Sequence, residues 1–431
     1  MRNFLALFLY RLVFLLLTPI LLIVLLTRSI NHPEYRLRLT ERLGLLSKKL
    51  KTGGIVVHAA SVGEVIALKP FIIQLIAQYP NTAITVTTFT PTGSAQVTKL
   101  FGKQVQHCYL PLDNIVSTQL FLQTLKPQAM IFMETELWPN LIAQCQAKNI
   151  KLMLVNGRLS DSSMRSYKKL SWLITPAIQR FDSILTQSQV NQDNYLAMGA
   201  STDRCQLSGN LKFDISLNAD VAAKQTELAN LITEKRNIWL IASTHPGDES
   251  LALKAFELVK QKDNSALLII VPRHPERFEQ VARLAEEAGN QVLKRSKKQA
   301  VTLSTNVWII DTLGELLAAC ALADVVTMGG SFNEIGGHNP LEPALFHKPV
   351  IVGPNMSNFK EILSQLITAQ AIVQITENDA MPHALATEVL GLFSDSTAAQ
   401  LLGKNAYQVV QANQGATQRS LTALRQLIEA Q

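Results

Sequence analysis

Six segments of the chain concentrate side chains that do acid–base and anion chemistry. In His58-Ala59-Ala60-Ser61-Val62-Gly63-Glu64, small residues leave an apolar run and open a helical pattern, which lets a ligand approach closely. Glu64 then sits at a helix start, where a carboxylate suits a general base that accepts a hydroxyl proton. Simple complementing of the helix dipole is the plainer role for the same residue. Met130–Asn140 ends a second apolar run with Glu134 and Glu136 two residues apart. An uncompensated buried charge is expensive, so this pair is expected to have a task. First-turn helix chemistry explains Glu136 better than Glu134. Gly209-Asn210-Leu211-Lys212-Phe213-Asp214 offers Lys212, which is able to hold an anion without a metal or to be merely solvated.

Three further loops share a strand–loop–helix pattern. Pro272-Arg273-His274-Pro275 places an arginine just past an apolar run, and a guanidinium suits bidentate phosphate contact. Asp311-Thr312-Leu313-Gly314-Glu315-Leu316 opens a helix whose N-terminus favours anions. Met328–Pro343 carries four glycines and a Pro-Leu-Glu-Pro helix start, with Glu342 placed to accept bonds from ribose hydroxyls. One glycine-rich loop is weak evidence, whereas three in register on one sheet are considerably stronger. No GxxxxGK[ST] loop occurs, no GxGxxG follows the first strand, and no HExxH or Cys/His metal spacing is present.

These loops need a scaffold, and the hydropathy pattern supplies one. Ile55–Ala60, Ala83–Phe89, Val105–Leu110, Ala129–Met133, Lys151–Val155 and Asp182–Thr186 read as strands, each followed by helical spacing. A second series reads Ile238–Ala242, Ala266–Val271, Val307–Ile310, Asp324–Met328, Pro349–Val352 and Ala371–Ile375. Nearly continuous apolar strands alternating with helices imply α/β architecture with parallel sheets covered on both faces. The expected division is 1–52 as membrane anchor and basic juxtamembrane segment, 53–213 as one doubly wound domain, 214–236 as linker with a short helix, and 237–431 as a second doubly wound domain closed by C-terminal helices. Ligands of such sheets bind at the strand C-termini, which here are expected to face each other across a cleft.

Charge locates the remaining features. The 431 residues carry 40 Lys+Arg against 33 Asp+Glu, but residues 1–52 hold nine basic and two acidic side chains, and the remainder is balanced. The basic excess is an N-terminal feature, which excludes a broadly cationic nucleic-acid surface. From Phe4 to Leu26 only Arg11, Thr18 and Pro19 are not apolar, a length adequate to cross a bilayer. Arg11 is awkward in a span, since a charge near the bilayer centre costs several kcal/mol. A helix lying in the interface is the competing geometry. Arg28, Arg36, Arg38, Arg42, Lys48, Lys49 and Lys51 follow, so the body is expected on the cytoplasmic side. Cys108, Cys145, Cys205 and Cys320 are widely spaced and read as reduced thiols.

Taken together, HAASVGE (58–64), ETELWPN (134–140), GNLKFD (209–214), VPRHPERF (271–278), DTLGEL (311–316) and GGSFNEIGGHNPLEPA (329–344) strongly resemble the bacterial 3-deoxy-D-manno-octulosonic acid (Kdo) transferases. The resemblance covers essentially the whole chain, with the motifs in family order. It implies a GT-B fold of two Rossmann-like domains, anchored by an N-terminal helix at the cytoplasmic face of the inner membrane. It implies transfer of Kdo from CMP-Kdo to the disaccharide lipid precursor of lipid A, in lipopolysaccharide synthesis, with no metal or other cofactor. Under this resemblance Glu64 matches the proton acceptor, and Glu134 and Lys212 match transition-state stabilisers. Pro272 and Arg273, Leu313, Gly314 and Glu315, and Asn339, Pro340, Leu341 and Glu342 match the CMP-binding stretches. Implied partners are the CMP-Kdo donor, the lipid A precursor and inner-membrane phospholipids, and no nucleic acid. Arg158, Arg165, Lys168 and Lys169 are expected near the acceptor. A GT-B enzyme using a UDP-sugar, an epimerase of the same fold and a catalytically silent scaffold are the rivals, because fold alone does not separate them.

Overall fold

The computed structural model describes residues 2–215, 219–376 and 380–429. The chain divides into two units, Met1–Asp214 with Asn413–Gln431, and Ile215–Ala412. Each is a doubly wound α/β unit.

In the first unit the strands are β1 (Gly54–His58), β2 (Ile84–Thr88), β3 (Gln106–Tyr109), β4 (Pro127–Met133), β5 (Lys151–Gly157), β6 (Ser183–Thr186) and β7 (Cys205–Leu207). They form one sheet in the order β3-β2-β1-β4-β5-β6-β7, with every pairing parallel. Alternate residues feed opposite cores, as a pleated strand requires. Ile55, Val57, Ile131 and Met133 join one buried cluster with Phe71 and Leu75, while Val56, Met130 and Phe132 join another with Phe121 and Phe181. Strand order reverses between β1 and β4, the place where open parallel sheets bind ligands.

The second unit repeats the plan with β8 (Ile238–Thr244), β9 (Leu267–Pro272), β10 (Val292–Lys294), β11 (Val307–Ile309), β12 (Val325–Met328), β13 (Val350–Val352) and β14 (Val373–Gln374). Their order is β10-β11-β9-β8-β12-β13-β14, again all parallel, with the reversal between β8 and β12. The chain therefore has the GT-B pair of Rossmann-like units and an apolar N-terminal helix, Arg2–Asn31, long enough to cross a membrane.

One detail differs from the sequence-based division. Residues from Asn413 onward belong to the first unit, not the second. The reason is physical: helix Ala416–Glu429 buries Leu421 and Leu424 in the Phe71 cluster, and the Asp214 carboxylate accepts from Gly415 N at 2.6 Å and from Thr417 N. The short helix expected within 214–236 is Ala219–Ala229, which packs on helix Leu316–Leu322 of the second unit and buries Leu228.

Candidate functional site

In the first unit, β1 ends at the strand reversal and delivers its loop there. Ser61 caps the helix Val62–Ala67, accepting from Glu64 N. Ser61 Oγ donates to Glu64 Oε1 at 2.8 Å, and Ala60 N donates to Glu64 Oε2 at 2.8 Å. This variant of the capping box, in which Glu64 takes the N–H of the residue before the cap, explains why a Ser and a Glu stand three apart. Glu64 is thus held at the helix start by these bonds. Burial pushes its carboxyl up to about 7, opposed by the Ala60 bond and reinforced by the charge of Glu134 and, more weakly, Glu136. The three carboxylates share one electrostatic neighbourhood.

Glu134 follows β4 with φ 55°, a left-handed conformation uncommon for a side chain of this size. Its backbone is fixed on both sides: Glu134 N donates to Val155 O at 3.0 Å, and Tyr195 Oη donates to Glu134 O at 3.1 Å. Strain so firmly held is characteristic of functional positions. Glu136 has a different environment. Trp138 Nε1 donates to its Oε2 at 2.9 Å, and His58 Nε2 lies 3.4 Å from the same oxygen. Burial alone would raise Glu136, but His58 and Trp138 outweigh it and hold the carboxyl below its ordinary value. Sequence inspection attached no role to His58, because its meeting with Glu136 depends on β1 lying beside β4.

Lys212 sits on the short 3-10 turn Leu211–Phe213, started by Asn210, whose Oδ1 accepts from Lys212 N at 3.0 Å. Leu211 is buried in the cluster that contains Ala59, Val65 and Met133. The turn is thereby pinned to the core beneath the Glu64 and Glu134 loops. Arg38 and Arg42, expected among the basic flank, are committed internally. Arg38 pairs with Glu41 at 2.8 Å, and buried Arg42 donates to Phe89 O at 2.6 Å while lying over the Tyr109 ring.

In the second unit, the loops after β8, β9 and β12 converge at the reversal. Gly329 permits the approach, since a Cβ there would sit 2.7 Å from Ser243 O and 2.8 Å from Thr244 Cα. Buried Asp248 ties the loops together, accepting from His245 N at 2.8 Å, Gly330 N at 2.7 Å and Asn333 Nδ2 at 3.1 Å. Arg273 is exposed past buried Pro272, with its N–H donated to Thr244 O at 3.1 Å. Glu342 lies within reach of Arg273's charge: burial pushes its carboxyl up to about 7 and Arg273 pulls it back. Asn339 Oδ1 accepts from Leu341 N at 3.2 Å, starting the helix Leu341–Ala344 just after Pro340.

The Leu313–Glu315 loop follows β11, and Glu315 is buried and engaged by Arg295 Nη2 at 3.2 Å and by the Thr312 hydroxyl. Its side chain braces the loop. Gly314 (φ +81°) presents backbone, its carbonyl accepting from Lys224 Nζ at 3.2 Å, and Leu313 is exposed. Two histidines not singled out from the sequence complete the cluster. His245 and His338 stack with Nε2 atoms 2.8 Å apart, and burial followed by the His245 and Arg273 charges lowers His338 to about 4. The signal for His245 was a strand running into Pro246-Gly247-Asp248, the same small-loop pattern read elsewhere.

Comparison with known proteins identifies the family. Residues 37–215 match the family described as 3-deoxy-D-manno-octulosonic-acid transferase (kdotransferase). The chain is 38% identical over 424 residues to a 3-deoxy-D-manno-octulosonic acid transferase of Haemophilus influenzae, covering 98% of this chain and 99% of that protein. It is 33% identical over 362 residues to one of Rickettsia felis, covering 83% and 76%. Among solved structures, UDP-GlcNAc 2-epimerase from Neisseria meningitidis bound to UDP-GlcNAc superposes with TM-score 0.56 at 14% identity, covering 87% of this chain and 100% of that one; this likeness is one of fold. Near-complete overlap at 38% identity places the chain in the 3-deoxy-D-manno-octulosonic acid transferase family of glycosyltransferases.

Proposed function

We propose that the enzyme moves Kdo from CMP-Kdo to the lipid A disaccharide precursor with inversion at the anomeric carbon, using Glu64 as general base. The observation that carries this reading is the Glu64 carboxyl, pinned by Ala60 and Ser61 and held near 7 by burial and its carboxylate neighbours. A base with that affinity is ionised often enough at neutral pH to take a hydroxyl proton and basic enough to keep it.

In the proposed step an acceptor hydroxyl gives its proton to Glu64 as its oxygen bonds to the anomeric carbon. The bond from that carbon to the phosphate oxygen breaks, and CMP leaves with the electron pair. Positive charge grows on the sugar, where the Glu134 carboxylate is the stabilising group, by the oxocarbenium logic of glycosyl transfer. Lys212 answers an anionic group of the donor. Negative charge growing on the phosphate is met by Arg273 and by the backbone of the loops at Pro272, Leu313–Glu315 and Asn339–Leu341. Glu342 accepts from ribose hydroxyls. The apolar N-terminal helix attaches the chain to the inner membrane on its cytoplasmic side, where the lipid acceptor resides, and Arg158, Arg165, Lys168 and Lys169 lie toward that acceptor.

The test is product mass after incubating the full chain with CMP-Kdo and the tetra-acylated precursor. Addition of Kdo to the precursor is expected. Thermal stabilisation by UDP in preference to CMP, with no Kdo addition, overturns the donor assignment. Glu64→Gln is expected to slow transfer by about 10²–10⁴-fold; a wild-type rate removes Glu64 as base.

A further inference from the structure

We propose that the N-terminal helix lies in the plane of the membrane surface, docked lengthwise on the first unit, and does not cross the bilayer. The proposal deepens the membrane attachment of the preceding section and rests on it. Its basis is where the helix puts its polar groups. Tyr10 Oη donates to Asp113 Oδ2 at 2.8 Å, Arg11 Nε donates to Asn140 Oδ1 at 2.7 Å, and Thr18 Oγ1 accepts from Asn114 Nδ2 at 3.1 Å. All three partners are buried residues of the folded unit. Asp113 also accepts from Asn140 N at 3.0 Å and Leu141 N at 2.8 Å, so it joins the helix to the start of helix Pro139–Ala147.

The burial pattern has the same sense. Leu7, Arg11, Phe14, Thr18, Leu22, Leu25 and Ser29 are buried or half-buried and recur at three- and four-residue steps, so one stripe of the helix faces the protein. That stripe contains the polar residues Arg11, Thr18 and Ser29. The outward face is apolar: Phe8, Leu12, Leu16, Ile20 and Ile23 are all exposed, Leu16 at 68%. This polarity is inverted relative to a helix facing water, and it suits hydrocarbon.

Length decides between the two geometries. Ala6 to Ser29, the outermost buried positions, are about 35 Å apart at 1.5 Å per residue. A hydrocarbon core is about 30 Å thick. A crossing helix that kept these contacts would carry Asp113, Asn114 and Asn140 into lipid, and one that lost them would leave Arg11 unpaired in the bilayer. An in-plane helix avoids both costs. The neighbouring helix Ser171–Ile178 packs on the N-terminal helix and adds exposed Trp172, with exposed Leu170 just before it. Lys168 and Lys169 precede these two, and Arg28 lies in the last turn of the N-terminal helix. An apolar surface flanked by cations and a tryptophan matches an anionic headgroup layer.

The experiment uses the full chain on vesicles of phosphatidylethanolamine and phosphatidylglycerol, with a fluorophore on a cysteine placed at Leu5, Leu16 or Ile30. These positions are exposed, and the native cysteines are buried. The in-plane helix predicts co-flotation with vesicles and equal quenching at all three sites by a nitroxide near the headgroup. It also predicts equal access of all three to aqueous iodide added outside. Strongest quenching of Leu16 by a deep nitroxide, with Leu5 shielded from outside iodide and Ile30 open to it, shows a span and overturns the proposal while leaving membrane attachment intact. Failure to float overturns membrane attachment itself, and a dimer in place of vesicle binding assigns the apolar face to a second copy. Trp172→Ala with Leu170→Ala is expected to lower vesicle partition several-fold; unchanged partition removes that edge from the surface.

Discussion

Ser61 and Glu64 hold each other: the serine hydroxyl donates to Glu64 Oε1 at 2.8 Å and accepts from Glu64 N at 3.4 Å. The same pair that starts a helix therefore fixes the direction of the carboxylate proposed as the base, while burial raises its basicity. With the Glu64 carboxyl raised from 4.5 to about 7, the acid limb of kcat/KM is expected to turn near pH 7. A limb turning near 4.5 in the pH–rate profile would show that Glu64 is not the titrating base.

The same shift has a consequence for stability. A carboxyl that binds its proton more tightly when folded stabilises the fold below its unfolded value and loses that contribution as pH rises through its folded value. Between about pH 4.5 and 7 the native protein is expected to weaken on this account. Glu64→Gln removes the ionisation, so the variant should be the more stable protein at pH 8, by about 1–3 kcal/mol, and should show no such advantage at pH 4. Denaturant titrations of both proteins at the two pH values check the sign.

Ser61→Ala removes one bond to the Glu64 carboxylate and one cap from the helix. Loss of the cap is expected to cost about 1 kcal/mol. The Ser61 bond lowers the Glu64 value, so its removal should move the acid limb of the rate profile upward. A cap that served only the helix would lower stability and leave the limb in place.

Much of this arrangement was legible in the sequence, and the exceptions share a cause. The central strands β1, β4, β8 and β9 are buried along nearly their whole length, so an unbroken apolar run marks each. The edge strands β7 and β10 escaped notice because they are three residues long and, apart from Cys205, carry exposed or half-buried side chains, leaving no apolar run to read. Glu64, Glu134 and Arg273 were singled out because a strand end is a local feature. The Glu136–His58 contact was not, because His58 faces Phe132 of β4 only once strand order is known. Arg11 is the sharpest case: alone in an apolar run it looks like a flaw in a span, and only its Asn140 partner, 129 positions away, gives it a destination.

Gly329 is the residue on which the second site turns. Its missing side chain lets the glycine-rich loop lie against Ser243 and Thr244 at the β8–β12 reversal, and Ser243 is itself held at φ 57°. Gly329→Ala would drive a methyl group into backbone atoms at 2.7–2.8 Å, which only a backbone shift relieves. The variant should lose about 1–3 kcal/mol of stability, the range for overpacking, and its affinity for CMP should fall at least tenfold. Calorimetric titration with CMP measures the latter; native affinity would place the nucleotide elsewhere.

Asp214 joins the two distant stretches of chain that build the first unit. Its carboxylate accepts from Gly415 N at 2.6 Å and from Thr417 N, so it caps the helix Ala416–Glu429 as that helix returns to the Phe71 cluster. Arg419 Nε donates to Ser208 O at 2.7 Å, closing the connection from the other side. Because Asp214 directly follows the turn bearing Lys212, loosening the cap should be felt at the lysine. Asp214→Ala is expected to cost about 1–2 kcal/mol and to raise amide exchange in both 209–214 and 415–429. If Lys212 depends on this clamp for its position, kcat should fall more than stability alone explains at a temperature where the variant is fully folded. An unchanged kcat together with faster exchange in 415–429 alone would confine Asp214 to holding the helix.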